Sequence, residues 1–216
     1  GEWPAHGSAA EPAMTPDAPL EGARRGVAGL LLAAGASRRM GERHKLLIEL
    51  DGRPLVARAA APLVEAGLSP LVVVTGHRGD EVAAAVGELG VELVHNPEHR
   101  RGQASSLAVG VAAVAGRCDA VVVALGDMPW IRAETVRAVV AAYSPAENRL
   151  ICAPVREGEP RTGHPVLFSS RFFPELRRLT GDVGAREVVR RHPELSARVP
   201  VDDPGIHRDV DTTADL

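Results

Sequence analysis

The residues best suited to chemistry lie in a short polar loop that follows an apolar run near residue 30. The run LLLAAG ends at Gly35, and ASRRMGERHK follows, with Ser37, Arg38 and Lys45. Of the 25 lysine and arginine residues in the chain, Lys45 is the one lysine. This composition suits phosphate binding. The loop offers backbone NH groups, a hydroxyl, two guanidiniums and an ammonium directly after a buried strand.

The simpler interpretation of this loop is a basic surface loop with solvated arginines. The single lysine favours the phosphate role, because its compact ammonium can contact one phosphate oxygen in a space where a guanidinium does not fit. The loop is not a Walker A motif, since five residues separate Gly35 from Gly41 and Glu42 follows. It is not the G-x-G-x-x-G dinucleotide loop either.

Carboxylates that could hold a metal ion occur in two places. Asp127 lies in ALGDMPW, directly after an apolar run, and Asp209 and Asp211 lie in DVDT. Mg²⁺ is commonly held by one or two carboxylates together with phosphate oxygens, which two separated aspartates can supply. Each aspartate taken singly is more often a turn or helix-cap residue.

Two further segments combine glycine with polar side chains. NPEHRRGQASSL places Asn96 and Ser105 around a glycine, and it fits a helix N-cap at Ser105 as well as a nucleotide-binding turn. GEPRTGHPVLF places His164 between Gly163 and Pro165. A lone histidine is more often structural than catalytic, so His164 by itself predicts little.

Apolar runs of strand length alternate with amphipathic, Ala-rich stretches, which predicts a doubly wound α/β domain with a mostly parallel sheet and helices on both faces. Ligands then bind at the carboxyl ends of the strands, where Gly35, Gly76, Asn96 and Asp127 lie. Asp80 is expected to cap its helix, and the part after about residue 150 is expected to cover one end of the sheet. The predicted strands are Val27 to Ala34, Leu71 to Thr75, Val91 to His95, Ala120 to Leu125, Leu150 to Ala153, Val166 to Phe168 and Ala197 to Val201, and the predicted helices are Pro54 to Ala66, Asp80 to Leu89, Ser105 to Ala115, Ala133 to Ala142, Ser169 to Leu179 and Ala185 to Arg191.

Length and composition favour one domain and exclude some partners. The 216 residues are 45% hydrophobic, so residues 27–216 are expected to form a single domain after a disordered tail at residues 1–26, within which Met14 is a candidate natural start. The net charge of -3 predicts no nucleic-acid partner, and no apolar segment is long enough to predict a membrane span. The two cysteines, Cys118 and Cys152, lack metal-ligand spacing and are expected to be buried in a protein of the reducing cytoplasm.

Taken together, these segments resemble the MobA-like nucleotidyltransferases, and within them the molybdenum cofactor cytidylyltransferases. The segments that carry the resemblance are, in order, LLAAGASRRMG with Lys45, LGDMP, GHP, GDVGAR and DVDTTADL. The resemblance runs from about Val27 to Leu216. It implies a Rossmann-like nucleotidyltransferase fold of the GT-A-like type. It also implies Mg²⁺-dependent transfer of CMP from CTP to the phosphate of molybdopterin, with a molybdenum enzyme as a possible recipient of the product.

The resemblance also implies roles for individual residues. Asp127 and Asp211 would hold Mg²⁺, and Lys45, Arg38 and Asp127 would be catalytic. Ala33-Ala34, where the guanylyl branch typically has Ala-Gly, would favour cytidine. The residues implied to bind the nucleotide are Leu32, Ala33, Ala34, Gly35, Ser37, Arg38, Lys45, Gly76, Asn96 and Ser105, and those on the acceptor side are Gly163, His164 and Pro165.

The resemblance leaves several alternatives open. The donor could be GTP or ATP, and the acceptor could be another phosphorylated small molecule. A non-catalytic nucleotide- or pterin-binding accessory protein, or a redox protein that reuses the fold, would have the same architecture. Pyrophosphate release with one nucleotide would distinguish the transferase from both.

Overall fold

The computed structural model describes residues 25–35 and 44–215. Its centre is a seven-stranded sheet in the order β5, β4, β1, β6, β8, β7, β9. Residues 1–24 of the predicted tail (residues 1–26) lie outside the described residues, whereas Gly26 accepts a backbone hydrogen bond from Asp119. The strands of the sheet are β1 (Val27–Ala33), β4 (Leu71–Thr75), β5 (Glu92–His95), β6 (Ala120–Leu125), β7 (Ile151–Val155), β8 (Val166–Ser169) and β9 (Ser196–Pro200), and a separate hairpin joins β2 (Glu49–Leu50) to β3 (Arg53–Pro54).

Parallel pairing of β5, β4, β1 and β6 confirms the predicted α/β architecture. Leu30 and Leu31 of β1 are both fully buried and belong to two different apolar clusters, one on each face of the sheet. This explains why the strand sequences are apolar throughout rather than alternating. The helices are α1 (Leu55–Glu65), α2 (Gly79–Val86), α3 (Gln103–Val114), α4 (Ala133–Ala142), α5 (Phe173–Leu176) and α6 (Arg186–Arg191).

The two clusters place helices on both faces, as predicted. Buried residues of α1, α2 and α4 pack on the side of Leu31, and those of α3, α5 and α6 pack on the side of Leu30. Within the described residues, no helix is both long enough and apolar enough to cross a membrane. Cys118 and Cys152 are buried and unbridged, as expected from the sequence.

Two local predictions were wrong. Asp80 does not cap α2, because the helix begins at Gly79 and Arg78 occupies the cap position in a left-handed conformation. Ser105 does not cap α3 either, since the helix begins at Gln103, two residues earlier. In both cases the preceding glycine or arginine adopts a positive φ that allows the helix to start before the polar residue.

The part after residue 150 extends the sheet rather than covering one of its ends. β8 pairs antiparallel with β6, and β7 and β9 follow beyond it. Because Val166 at the start of β8 pairs with Val123 near the end of β6, residues 163–165 lie at the same edge as Asp127. This antiparallel strand brings the second half of the chain to the carboxyl ends of the parallel strands.

Candidate active site at the carboxyl ends of the strands

Three residues that the sequence singled out separately meet at one point. The Nζ of Lys45 donates a hydrogen bond of 2.8 Å to Oδ2 of Asp127 and lies 3.5 Å from Oδ1 of Asp211. Lys45 begins a single 3-10 turn whose Leu46 is buried, and Asp127 follows β6. The side chains of Lys45 and Asp127 are 16% and 23% exposed, so the pair is partly shielded from solvent and open on one side.

Asp211 reaches this point because its segment is fixed to Asp127 and to α4. The backbone NH of Val210 donates to the carbonyl oxygen of Asp127 at 2.9 Å. Upstream, the buried carboxylate of Asp203 accepts hydrogen bonds from the backbone NH of Arg132, the hydroxyl of Thr135 and the NH of Gly205. Asp203 therefore connects the start of α4 to the segment that carries Asp211.

Asp215 orders the turn on the other side of Asp211. Its Oδ2 accepts hydrogen bonds from the NH of Asp211 at 3.0 Å and from the NH of Thr212 at 2.7 Å. These hydrogen bonds, with that of Thr212 the largest, lower the pKa of the Asp215 carboxyl below its usual range. Sequence reasoning missed both Asp203 and Asp215, because an aspartate that accepts NH groups looks in the sequence like any turn aspartate.

The chemistry of Asp127 and Asp211 fits a hard divalent cation. Both carboxylates already approach one cationic group, the ammonium of Lys45. Among the residues that the structure describes, no three His, Cys, Asp or Glu side chains are grouped for a metal. A metal ion at this point would therefore have two carboxylates from the described chain and room for phosphate or water oxygens, which is the ligand set that Mg²⁺ commonly takes.

The end of β1 lies beside these carboxylates. The carbonyl oxygen of Leu32 accepts a hydrogen bond from the NH of Gly126, while Ala33 and Ala34 are buried. Among the described residues, no atom lies within 4 Å of the position that a Cβ on Gly35 would take. Ser37 and Arg38 lie outside the described residues, and their nucleotide-binding roles stay predictions.

Asn96 and Ser105 are joined by a hydrogen-bonded turn. Asn96 is 1% exposed, and its Nδ2 donates to the hydroxyls of Ser105 and Ser106 at 2.9 Å, while its Oδ1 accepts from the NH of Glu98. The Ser105 hydroxyl also lies 2.9 Å from the carbonyl oxygen of Gly102. The amide of Asn96 therefore organises the start of α3, and its contact with a nucleotide stays a prediction.

Gly76 is surrounded by histidines that the sequence analysis did not single out. A Cβ on Gly76 would lie 2.8 Å from the carbonyl oxygen of Ala34 and 2.7 Å from Cβ of His99. The rings of His44 and His77 stack with their centroids 5.5 Å apart. Burial first, and then the neighbouring His77 and Arg78, lower the pKa of His44, so this ring is neutral at pH 7. The spacing of these histidines along the chain gave no signal, because three different loops bring them together.

Gly163, His164 and Pro165 lie on the other side of Asp127. The NH of Gly163 donates to the carbonyl oxygen of Pro154, and the NH of His164 donates to that of Ile206. A Cβ on Gly163 would lie 2.5 Å from the Ile206 carbonyl oxygen, so this backbone approach requires glycine. His164 is 8% exposed, and burial, followed by the charges of Arg186 and His207, lowers its pKa to about 3. The structure thus brings His164 to the site edge as a neutral, buried ring.

Comparison with known proteins places this arrangement in context. The chain is 31% identical to nicotine blue oxidoreductase of Paenarthrobacter nicotinovorans, over 88% of this chain and 94% of that protein. It is 33% identical to the bifunctional protein GlmU of Anaeromyxobacter sp. (strain K) over 81% of this chain, but it spans only 36% of GlmU.

Among solved structures, Rv0371c from Mycobacterium tuberculosis H37Rv superposes with a TM-score of 0.75 at 32% identity, covering 88% of this chain and 95% of that one. A second structure of Rv0371c, with a TM-score of 0.73 at 30% identity over 88% and 95% of the two chains, is a complex with manganese. The profile described as MobA-like NTP transferase domain matches residues 29–196, which span the strand ends that carry Gly35, Lys45, Asp127 and His164. With the site at these strand ends and the profile over most of its length, the chain belongs to the MobA-like NTP transferase family.

Proposed function

We propose that the protein is a Mg²⁺-dependent nucleotidyltransferase that transfers CMP from CTP to the phosphate of molybdopterin or of its molybdenum form. The observation that carries this proposal is the contact of Lys45 with Asp127 and Asp211. Two carboxylates for a metal ion and a lysine for phosphate oxygens, together at the strand ends of a nucleotidyltransferase fold, suit a metal-bound triphosphate. The manganese in the related Rv0371c structure supports a divalent ion in this family.

The reaction needs positioning and charge stabilisation rather than a general base. An acceptor phosphate oxygen attacks the α-phosphorus of the nucleotide, the bond from that phosphorus to the bridging oxygen of the β-phosphate breaks, and pyrophosphate leaves with the bonding electrons. A phosphate monoester is already ionised at neutral pH, so no side chain has to remove a proton. In-line alignment and electrostatic stabilisation then account for the rate enhancement.

Lys45 and the two aspartates divide this work. The ammonium of Lys45 donates hydrogen bonds to phosphate oxygens and offsets the charge that accumulates on them. A Mg²⁺ held by Asp127 and Asp211 would supply further neutralisation of the phosphate charge. Gly35, Ser37 and Arg38 bind the triphosphate in this proposal, and no described residue lies within 4 Å of a Cβ built on Gly35, which leaves that side available to the phosphates.

The preference for cytidine is attributed to the backbone of residues 32–34. Ala33 and Ala34 are buried side chains at the end of β1, so in this proposal the base is read by peptide groups of this segment and not by its side chains. GTP or ATP as donor, and another phosphorylated small molecule as acceptor, are the alternatives within this reaction class.

A redox function is the second candidate, because a relative at 31% identity is named nicotine blue oxidoreductase. The same phosphate-binding edge would then hold the pyrophosphate of a nicotinamide dinucleotide. This candidate predicts consumption of NADH or NADPH with an organic dye as acceptor and no release of pyrophosphate.

One assay separates these candidates. The protein is incubated with molybdopterin, Mg²⁺ and each of CTP, GTP and ATP, and pyrophosphate is measured in every reaction. We expect release with CTP and not with GTP or ATP. Release with a different nucleotide would overturn the donor assignment. No release with any nucleotide, combined with oxidation of NADH or NADPH, would replace the transferase by the redox function, and nucleotide-induced thermal stabilisation without either reaction would indicate a binding protein.

A further inference from the structure

Two arginines and two histidines form a cluster beside the candidate active site. We call it the acceptor-side cluster, and its members are Arg161, His164, Arg186 and His207. Glu159, Arg161 and Arg186 all act on the charge of His207, Glu159 most strongly, and Arg186 and His207 act on His164. Three separate segments of the chain therefore converge at this place.

Arg186 is the member whose charge is least compensated. Its Nε is buried and has no hydrogen-bond partner in the part of the chain that the structure describes. Burial lowers the pKa of its guanidinium, repulsion from Arg161 is the next cause, and the attraction of Asp209 is weaker than that repulsion. Buried polar groups in native proteins normally have a partner, so an unsatisfied Nε beside a second arginine indicates a site for an anion.

Two histidines lie beside these arginines. His164 is 8% exposed, and a hydrogen bond to the backbone of Val123 engages its ring, so the one N–H of this neutral imidazole is already used. His207 is held by its own neighbours, since its Nε2 lies 2.9 Å from Oε2 of Glu159 and its ring is hydrogen-bonded to the backbone of Arg161. The arginines, and not the histidines, are therefore the donors available to an anion.

The cluster adjoins the proposed metal carboxylates. Asp209, which acts on Arg186, is two residues from Asp211, and Val210 between them is hydrogen-bonded to the backbone of Asp127. His164 is hydrogen-bonded through its NH to Ile206 in the same segment. An anion at Arg186 would therefore lie close to the segment that carries Asp211.

We propose that the half-buried Arg186 and the exposed Arg161 form the binding site for the phosphate monoester of the acceptor, beside the neutral ring of His164. This inference rests on the proposed function for the identity of the ligand but not for the presence of an anion site. Arginine suits the task because its planar guanidinium can donate two parallel hydrogen bonds to a phosphate and remains charged when partly buried. Held there, the phosphate oxygen is presented to the nucleotide beside Asp211.

The first experiment tests the anion site without any reaction. Binding of inorganic phosphate is measured by calorimetry for the wild type, Arg186→Gln, Arg161→Gln and Lys45→Ala, with Arg117→Gln as control because Arg117 pairs with Glu92 on the surface. We expect Arg186→Gln to weaken binding at one site by roughly 10- to 100-fold, the usual loss of a charge-assisted hydrogen bond. Arg117→Gln should leave binding unchanged. The proposal would be overturned if Lys45→Ala lost all phosphate binding while Arg186→Gln and Arg161→Gln bound phosphate as tightly as the wild type.

The second experiment uses the thermal stability of the same variants. If Arg186 serves a ligand, its removal leaves the melting temperature without phosphate unchanged or raises it, because a buried unsatisfied group has been removed. A marked drop in the melting temperature of both Arg186→Gln and Arg186→Lys would assign the residue to the fold instead and overturn the proposal.

The third experiment uses the reaction with molybdopterin and CTP. We expect Arg186→Gln to raise the KM for the acceptor at least tenfold with the KM for CTP unchanged, and Arg186→Lys to recover part of the loss. A raised KM for CTP alone would contradict the assignment. If the wild type itself releases no pyrophosphate with any nucleotide, the proposed function fails, while phosphate binding still decides whether the anion site exists.

Discussion

The two sides of the candidate active site differ in how their positive side chains are paired with carboxylates. On the nucleotide side, Lys45 contacts the carboxylates of Asp127 and Asp211, so positive and negative groups stand together. On the acceptor side, the repulsion that Arg161 exerts on Arg186 is stronger than the attraction of Asp209. His164 is buried there, and its Nδ1 has no partner among the described residues.

This difference indicates what each side is built to receive. A triphosphate arrives with a metal ion. The two aspartates can then bind the metal ion in place of Lys45, and the ammonium of Lys45 can bind phosphate oxygens. An acceptor phosphate arrives as an anion alone, and it is suited by Arg186, on which the repulsion of Arg161 outweighs the attraction of Asp209. The four predictions below test whether the two sides are as different as their charges indicate.

The largest effect is expected from Lys45→Ala, which removes the cation of the nucleotide side. The activation barrier should rise by about 3 to 4 kcal/mol, which is the usual cost of removing one hydrogen-bond donor to the transition state. Lys45→Arg should also impair the reaction, because a guanidinium does not replace a compact ammonium. Pyrophosphate release under saturating substrates measures both variants, and full activity in Lys45→Ala would refute the phosphate role.

A smaller effect is expected from Asp127→Asn, which keeps the shape of the side chain and removes its charge. The Mg²⁺ concentration for half-maximal activity should rise roughly tenfold or more, since a hard divalent ion prefers a carboxylate over an amide. The melting temperature should change little, because Asp127 is partly exposed and its backbone hydrogen bond to Val210 remains. A large drop in the melting temperature would instead assign Asp127 to the fold.

His164 should make the acceptor side sensitive to acid. Its pKa of about 3 in the folded protein lies below the ordinary value of 6.5, so between these values the unfolded chain binds a proton that the folded protein excludes. The free energy of unfolding should therefore fall as the pH is lowered from 6.5 towards 3, by up to about 1.4 kcal/mol per pH unit from this group. Urea unfolding of the wild type and His164→Asn checks this, and identical pH slopes for the two proteins would contradict it.

The smallest effect is expected from the thiols. Burial raises the pKa of Cys152 to about 11 and also raises that of Cys118. Both should therefore resist alkylation by iodoacetamide in the folded protein and react after denaturation, as read by mass spectrometry. Rapid loss of activity on alkylation under native conditions would show that a thiol takes part in the chemistry, and it would favour the redox candidate.

The fold was largely predictable because its signals are local. Uninterrupted apolar runs such as Ala120 to Leu125 were identified as buried strands, and the observed bounds of that strand are the same. The position of the second half of the chain was not predicted, since antiparallel pairing of β8 with β6 depends on contacts between distant segments. The two wrong helix caps had a local cause, because glycine or a left-handed residue began each helix before the polar residue.

The site was predictable only where a residue is unusual in the sequence itself. Lys45 is conspicuous as the one lysine, and Asp127 follows a clear strand. Asp203 gave no such signal, because one turn aspartate resembles another. Arg186 and Asp215 lie in the segments GDVGAR and DVDTTADL that carry the family resemblance, but nothing in these segments indicated what the two side chains contact. What distinguishes them is which distant groups they contact, and that follows from the tertiary structure alone.

A backbone contact between Gly102 and Gly181 joins the turn before α3 to the segment that leads to Arg186. Gly102 has a φ of +105°, and a Cβ on it would lie 2.3 Å from the carbonyl oxygen of Gly181, which also accepts a hydrogen bond from the NH of Ala104. The two backbones thus touch without a side chain between them that could change rotamer and absorb a displacement. Any residue with a Cβ at position 102 would therefore displace the segment that leads to Arg186.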